Sequence, residues 1–170
     1  MANFDLISTY TDDDAAWLRE QGYPCPIVQQ DNEMPTTADM KWALEAEEGL
    51  SFDYPIRSSE DELYGVDEEG SGFRIRGFDW DEERSIPGDY FTVYGTMTIL
   101  SVLIRLCQRC GQLYVYPDSG APAIILDASL DSGAVAELYA EAWEQQEAWA
   151  YFFEKMYGPD GLTKRESSHG

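Results

Sequence analysis

Hydrophobic and polar positions recur at helical spacing in four stretches of the chain. Residues 12–18 begin with three aspartates, which favour the positive end of a helix dipole, and continue with apolar residues. A second helix is predicted over residues 36–49. Residues 97–110 predict a buried helix, because their polar positions recur every three or four residues and leave the remaining surface apolar. The fourth stretch, residues 132–156, predicts one long C-terminal helix.

Short segments between these helices alternate apolar and polar residues, which is typical of strands. In one of them Arg74 and Arg76 fall on the same side of the strand. The last two segments flank a turn rich in Pro, Gly, Asp and Ser, and they predict a hairpin. The predicted strands cover residues 50–55, 72–78, 90–94, 112–116 and 123–126.

These elements predict a single α+β domain over residues 1–162, with residues 163–170 as a flexible tail. Its sheet is expected to be small and mostly antiparallel. A buried helix and a long C-terminal helix are expected to pack against it. With 44% apolar and 14% aromatic residues, the chain has enough material for one core.

The chain carries 33 acidic and 11 basic side chains in 170 residues, a net charge of −22. Residues 1–89 hold 23 acidic and 6 basic side chains, whereas residues 90–170 hold 10 and 5. Self-repulsion of this size destabilises a compact domain. We therefore expect the acidic half to present a binding face for a positively charged partner.

This charge opposes binding to nucleic acid, because contacts with phosphates require lysine and arginine. It also opposes binding to anionic lipid surfaces. The longest apolar run, residues 99–106, is too short to span a bilayer, and the N-terminus lacks the basic and apolar regions of a secretion signal. We therefore expect a cytoplasmic protein with no nucleic-acid or membrane partner.

No catalytic motif accompanies the acidic residues. The single histidine, His169, lies in the C-terminal tail, so a serine or cysteine nucleophile would lack its usual base. Glycine motifs that bind phosphate are missing from the sequence. The acids of residues 79–83 could bind a divalent cation, although they lack the ligand spacing of an EF-hand. We expect no enzymatic activity and no cofactor, with a metal-assisted enzyme that uses carboxylates as the alternative.

Cys107 and Cys110 have the CxxC spacing of a zinc or redox pair. A structural zinc site needs four ligands, and only Cys25 and His169 remain to complete it. The pair also ends a predicted helix, whereas a reactive thiol is favoured at the start of one. We interpret both cysteines as half-buried helix residues, with metal or redox chemistry as the alternative.

Two clusters of acidic residues in predicted loops form the candidate partner-binding surface. Aromatic side chains lie among them, and aromatic anchors ringed by polar groups supply much of the affinity of protein interfaces. For the tryptophan of the second cluster, a place in the core is the alternative. The candidate residues are Glu60, Asp61, Glu62, Tyr64, Asp67, Glu68, Glu69, Asp79, Trp80, Asp81, Glu82 and Glu83.

Three short motifs in the middle of the chain resemble those of a known family. They are Ser51-Phe52, Gly88-Asp89-Tyr90-Phe91 and Tyr116-Pro117. In this order they resemble immunity protein family fifty-two, which belongs to bacterial polymorphic-toxin and type VI secretion systems. The resemblance implies a protein that binds and neutralises a toxin of restriction-endonuclease-like fold.

Charge and resemblance together predict a cytoplasmic immunity protein. It would neutralise a cognate antibacterial toxin, a nuclease, by covering the toxin's basic active-site cleft with residues 60–69 and 79–83. The alternative is an acidic mimic of nucleic acid that inhibits a host defence or repair enzyme. Either role requires occlusion alone and no chemistry.

Overall fold

The computed structural model describes residues 2–7, 16, 19–20, 32–55, 62–95, 97–117 and 124–157. The helices with assigned bounds are α1 (Thr37–Ala46), α2 (Met97–Cys110), α3 (Ser132–Trp143) and α4 (Ala148–Tyr157). The strands are β1 (Ala2–Ile7), β2 (Ser51–Phe52), β3 (Glu62–Val66), β4 (Gly72–Arg76), β5 (Phe91–Gly95), β6 (Leu113–Pro117) and β7 (Ile124–Leu126).

The strands of the described residues form one sheet in the order β2-β3-β4-β5-β1-β6-β7. Every pairing between neighbours in this order is antiparallel. β1 lies inside the sheet, where Phe4 is opposite Val93 of β5 on one side and Pro117 of β6 on the other. The N-terminal strand thus joins the meander β2–β5 to the hairpin β6–β7.

Helices cover one face of this sheet. On β4 and β5 the side chains of Phe73, Ile75, Phe91 and Val93 are buried, whereas the residues between them are half-buried or exposed. The buried set belongs to one hydrophobic cluster that includes residues of all four helices. We call this side the helix-covered face and the opposite side, at β3, β4 and β5, the open face. The molecule is therefore a small α+β domain with a single core.

Local sequence signals place several element boundaries. At the start of α1, the Thr36 side chain accepts a hydrogen bond from the Asp39 amide, and the Asp39 carboxylate accepts one from the Thr36 amide, which is a capping box. α2 covers the predicted residues 97–110, and Gly111 with a φ of +87° follows it. The predicted hairpin is confirmed in its strands, because β6 and β7 pair antiparallel.

Three elements differ from the prediction. The patterns above do not include β1. They also predict a loop near residues 60–69, whereas Glu62–Val66 forms β3, in which Leu63 is fully buried opposite Ile75. The predicted C-terminal helix is two helices, separated at residues 144–147.

Two predicted segments lie mostly outside the described part of the chain. Ala16, within the first predicted helix, is helical, but most of residues 12–18 are not described. The predicted tail, residues 163–170, lies outside the described residues altogether.

Candidate partner-binding surface

The acidic loop of residues 79–83 is anchored on the first turn of α1. Thr37 is fully buried, and its hydroxyl donates a hydrogen bond to the Asp79 carbonyl at 3.0 Å. The Ala38 amide donates to the Glu83 carbonyl, also at 3.0 Å. Amides of the first helical turn have no partner inside the helix, so the loop satisfies them. Its four acidic side chains remain exposed.

Trp80, at the centre of this loop, is a core residue. It is 5% exposed, and its ring centroid lies 5.6 Å from Tyr54 and 5.4 Å from Phe78. The prediction that Trp80 is an exposed anchor for a partner is therefore wrong. Its indole holds the loop against the domain, because burying this large ring favours the loop's docked position.

The turn between β3 and β4 carries the second acidic group. Asp67 is half-buried, and its carboxylate accepts hydrogen bonds from the Glu69 amide at 3.0 Å and the Ser71 amide at 2.9 Å. Gly70 has a φ of +82°, a conformation that residues with a Cβ rarely adopt. Asp67 therefore shapes the turn, whereas Glu68 and Glu69 are exposed.

α1 joins the two acidic loops into one surface. Near its first turn, Lys41 forms a 3.5 Å ion pair with Glu83. Beyond its last turn, Glu68 packs against Gly49, where an added Cβ would lie 2.5 Å from Glu68 Cγ. Exposed carboxylates at positions 45 and 48 lie along the chain between these two contacts. We call this surface the acidic edge; it consists of Glu45, Glu48, Glu68, Glu69, Asp79, Asp81, Glu82 and Glu83.

The carboxylates of the acidic edge affect the ionisation of Tyr54, a neighbouring phenol. Burial, followed by the charges of Glu45 and Glu83, raises the pKa of Tyr54. The Lys41 ammonium lies 4.9 Å from the centroid of the same ring, and the lysine side chain is 19% exposed. The one cation of α1 is thus largely covered, while the carboxylates around it face solvent.

Glu62 and Tyr64 lie on the open face and not in an acidic loop. β3 places them opposite Arg76 and Arg74 of β4. Tyr64 donates a 2.7 Å hydrogen bond to the Glu62 carboxylate, which lies 3.4 Å from Arg76 and 3.9 Å from Arg74. The Tyr64 hydrogen bond most of all, with the two arginines, lowers the pKa of Glu62 against the effect of burial. Two cations neutralise this carboxylate locally, so Glu62 does not add to the acidic edge.

Two further apolar side chains next to the edge are exposed. Ile86 and Tyr90, in the segment after the 79–83 loop, are 56% and 55% exposed. These two side chains, and not Trp80, are the exposed apolar side chains of this part of the chain. Pro87 and Gly88 are the sequence signal for an irregular segment here, because both residues disfavour regular secondary structure.

Sequence reasoning missed the contribution of α1 to this surface. Lys41 and Glu45 are four residues apart, a spacing that places both side chains on one face of α1, and this spacing was the available signal. Glu48 lies in the turn that follows the helix. The remaining two candidates, Glu60 and Asp61, lie outside the residues that the structure describes.

Cys107 and Cys110 are free and buried at the end of α2. Their sulfurs lie 3.6 Å from the Leu126 carbonyl and 3.4 Å from the Leu106 carbonyl. Burial raises the pKa of Cys110 to about 12 and also raises the pKa of Cys107. Both cysteines belong to the hydrophobic core, and their raised pKa disfavours the thiolate form that a redox-active cysteine uses.

Among the described residues, no group of three or more histidine, cysteine, aspartate or glutamate side chains is arranged to hold a metal ion. In the same ranges, none of the helices combines the length and apolarity needed to cross a bilayer. Comparison of the chain with protein-family models, curated proteins and solved structures found no match in any of the three. A functional proposal therefore depends on the surface of the molecule itself.

Proposed function

We propose that this chain is a cytoplasmic immunity protein that binds a cognate antibacterial toxin, a nuclease, and covers the toxin's basic active-site cleft. The acidic edge is the observation that supports this role. It gathers exposed carboxylates from two loops and α1 around one largely covered lysine. A nuclease cleft is basic because it contacts phosphates, so its charge complements this surface.

Charge and apolar contacts have separate tasks in this mechanism. Complementary potentials speed the encounter of two proteins by about 10- to 1,000-fold and select the partner. Lasting affinity needs anchors that lose water on binding. The exposed Ile86 and Tyr90 beside the edge supply such anchors. Occlusion of the cleft then requires no chemistry from the immunity protein.

A pair of charge-neutralising variants tests the proposal. The edge variant carries Glu48→Gln, Glu69→Gln and Asp81→Asn, three exposed carboxylates. The control variant carries Glu137→Gln, Glu144→Gln and Glu154→Gln, which are exposed on or beside α3 and α4. Both remove three negative charges, so they differ only in where the charge is lost.

Each protein is used as bait in a lysate of the native organism, and captured proteins are identified by mass spectrometry. We expect the wild type and the control variant to capture a protein that stops growth when expressed alone in a bacterial host. Co-expression of the wild type should restore growth, and the edge variant should restore it at least about tenfold less efficiently. Equal rescue by both variants would contradict the electrostatic part of the proposal. A captured host repair or defence enzyme without toxicity would favour the nucleic-acid mimic.

A further inference from the structure

The open face carries nearly balanced charges, in contrast to the acidic edge. Its described charged side chains are those of Asp5 on β1, Asp53 beside β2, Glu62 on β3, and Arg74 and Arg76 on β4. Three carboxylates therefore lie among two guanidinium groups, whereas the whole chain has 33 acidic and 11 basic side chains. In a molecule of net charge −22, this face repels another negative molecule less than the acidic edge does.

Large apolar side chains are also exposed on this face. Tyr64 and Val66 of β3 are 59% and 42% exposed. They line a groove of about 650 Å³ whose other walls come from residues of β2, β4 and β5. Covering such side chains removes apolar surface from water, which favours association.

The groove has one accessible charge of each sign, on opposite sides of β3. Asp53 lines the side next to β2 and is exposed, and Arg74 of β4 lines the other side and is 39% exposed. Because neighbouring strands are about 4.8 Å apart, each charge lies about one strand spacing from Tyr64, which is opposite Arg74 in the register. The Tyr94 ring holds the Arg74 guanidinium in place, with its carbon 4.4 Å from the ring centroid.

We propose that two copies of this chain form a dimer by packing their open faces together about a two-fold axis that runs along β3. Rotation about this axis exchanges the two sides of β3. Asp53 of each copy therefore meets Arg74 of the other copy, and the two Tyr64 side chains pack together on the axis. A two-fold interface requires a surface that is complementary to itself, and this pattern of charges meets that requirement.

Glu62 also lies on β3, so the two Glu62 side chains approach each other in this arrangement. Each is neutralised within its own copy, since its carboxylate accepts a hydrogen bond from Tyr64 and lies 3.4 Å from Arg76. Asp5 accepts a 2.9 Å hydrogen bond from Thr92 of the same copy. The Asp53–Arg74 contacts are thus the charge pairs that the second copy completes.

The dimer leaves the acidic edge accessible. This edge is built around α1, whose buried residues Met40, Ala43 and Leu44 pack into the core on the helix-covered side of the sheet. The proposal therefore does not depend on the toxin-blocking role.

Sedimentation velocity of the full chain at increasing concentration tests the dimer. About 0.15 M salt is suitable, because a Debye length of about 8 Å screens the repulsion between distant carboxylates. We expect the wild type to convert from monomer to dimer. Tyr64→Glu should weaken dimerisation at least about tenfold, since it places two further negative charges on the axis. Gln108→Glu, at an exposed position of α2, adds the same charge and should leave dimerisation unchanged.

A charge exchange tests the contact between Asp53 and Arg74. Asp53→Arg and Arg74→Asp each place like charges at both contacts, so each variant alone should dimerise at least about tenfold more weakly. An equal mixture of the two variants has opposite charges at both contacts and should form a heterodimer. If Arg74→Asp fails to fold, Asp53→Arg is compared with Asp89→Arg, an exposed position outside the groove that should keep the wild-type affinity.

Three results would overturn the proposal. The first is a wild type that remains monomeric up to about 1 mM. The second is equal dimerisation of Tyr64→Glu and Gln108→Glu, which would place the dimer contact elsewhere. The third is the absence of a heterodimer in the mixture of folded variants, or equal affinity of Asp53→Arg and Asp89→Arg.

Discussion

Aromatic side chains that lie among the carboxylates separate into core and surface residues. Trp80 is 5% exposed and Tyr90 is 55% exposed, although each directly follows an aspartate in a segment with nearby Gly, Ser or Pro. The sequence therefore predicts an aromatic residue beside the acids but not its burial. The difference comes from Tyr54 and Phe78, whose rings pack against the indole. Tyr54 is distant in sequence, so its contact with Trp80 depends on the fold.

Replacing Trp80 or Tyr90 with alanine should have different effects: the first on stability and the second on partner binding. Trp80→Ala should lower the free energy of unfolding by about 3–5 kcal/mol, because it leaves a large cavity beneath the loop. Tyr90→Ala should change stability by less than about 0.5 kcal/mol and weaken partner binding. Urea denaturation measures the first effect and titration with the captured partner the second. Equal stability of the two variants would contradict the assignment of Trp80 to the core.

Gly65 illustrates a residue whose identity is set by a close approach between side chains. A Cβ at this position would overlap the ring of Phe73 and lie 2.9 Å from Phe52 Cβ. Gly65→Ala should therefore destabilise the domain by about 1–3 kcal/mol. Gly88→Ala is the matched control, since an added methyl group there would meet no atom within 4 Å beyond its chain neighbours, and its φ is not left-handed. Thermal unfolding of both variants is the measurement; equal midpoints would show that Phe73 moves aside freely.

At the scale of elements, local sequence signals predict where an element begins and ends better than they predict which strands pair with one another. α2 begins and ends where the polar spacing and Gly111 place it. β1 carried an available signal, because Asn3, Phe4, Asp5 and Leu6 alternate in polarity, but its pairing with β5 and β6 is set by distant residues. β3 has the sequence Glu-Leu-Tyr-Gly-Val, which does not alternate regularly in polarity, and its pairing with β4 is a tertiary contact.

The division of the C-terminal helix has no local signal. Residues 144–147 contain neither glycine nor proline, so helix propensity alone predicts continuity. The break allows α4 to pack against α3, with Phe152 edge-on to Tyr139 at a centroid distance of 5.6 Å. Burial of Phe152, Phe153 and Met156 is a tertiary effect that overrides local propensity.

The contact between α1 and the 79–83 loop predicts a local change in dynamics. Thr37→Val keeps the shape of the side chain but leaves the Asp79 carbonyl without this donor, at a cost of about 1–3 kcal/mol. Hydrogen exchange at the Thr37 and Ala38 amides should accelerate, since they donate to the carbonyls of Ser85 and Glu83, at the end of this loop. Thr37→Ser retains the hydroxyl and should keep the amides protected. Acceleration in Thr37→Ser but not in Thr37→Val would assign the anchoring to the methyl group instead.

At the scale of the whole molecule, the acidic edge is a product of topology. Glu45, Glu69 and Glu82 belong to three segments that the sequence treats as separate clusters or as part of a helix. The meander β2–β5 and the docking of residues 79–85 on α1 bring these segments together. Sequence composition predicts that an acidic face exists, whereas the fold decides which carboxylates share it.

Like charges gathered on one surface repel one another, so the acidic edge should reduce stability in a manner that salt relieves. The Debye length falls from about 30 Å at 0.01 M salt to about 3 Å at 1 M. At low salt, the edge variant should melt about 1–3 °C above the wild type, because each like-charge neighbour costs a few tenths of a kcal/mol. The control variant, whose three carboxylates lie on or beside α3 and α4, should gain less. Both differences should vanish at high salt. Equal stabilisation by the two variants at low salt would mean that the negative charge is spread evenly, and a partner's basic cleft would then have no preferred surface to meet.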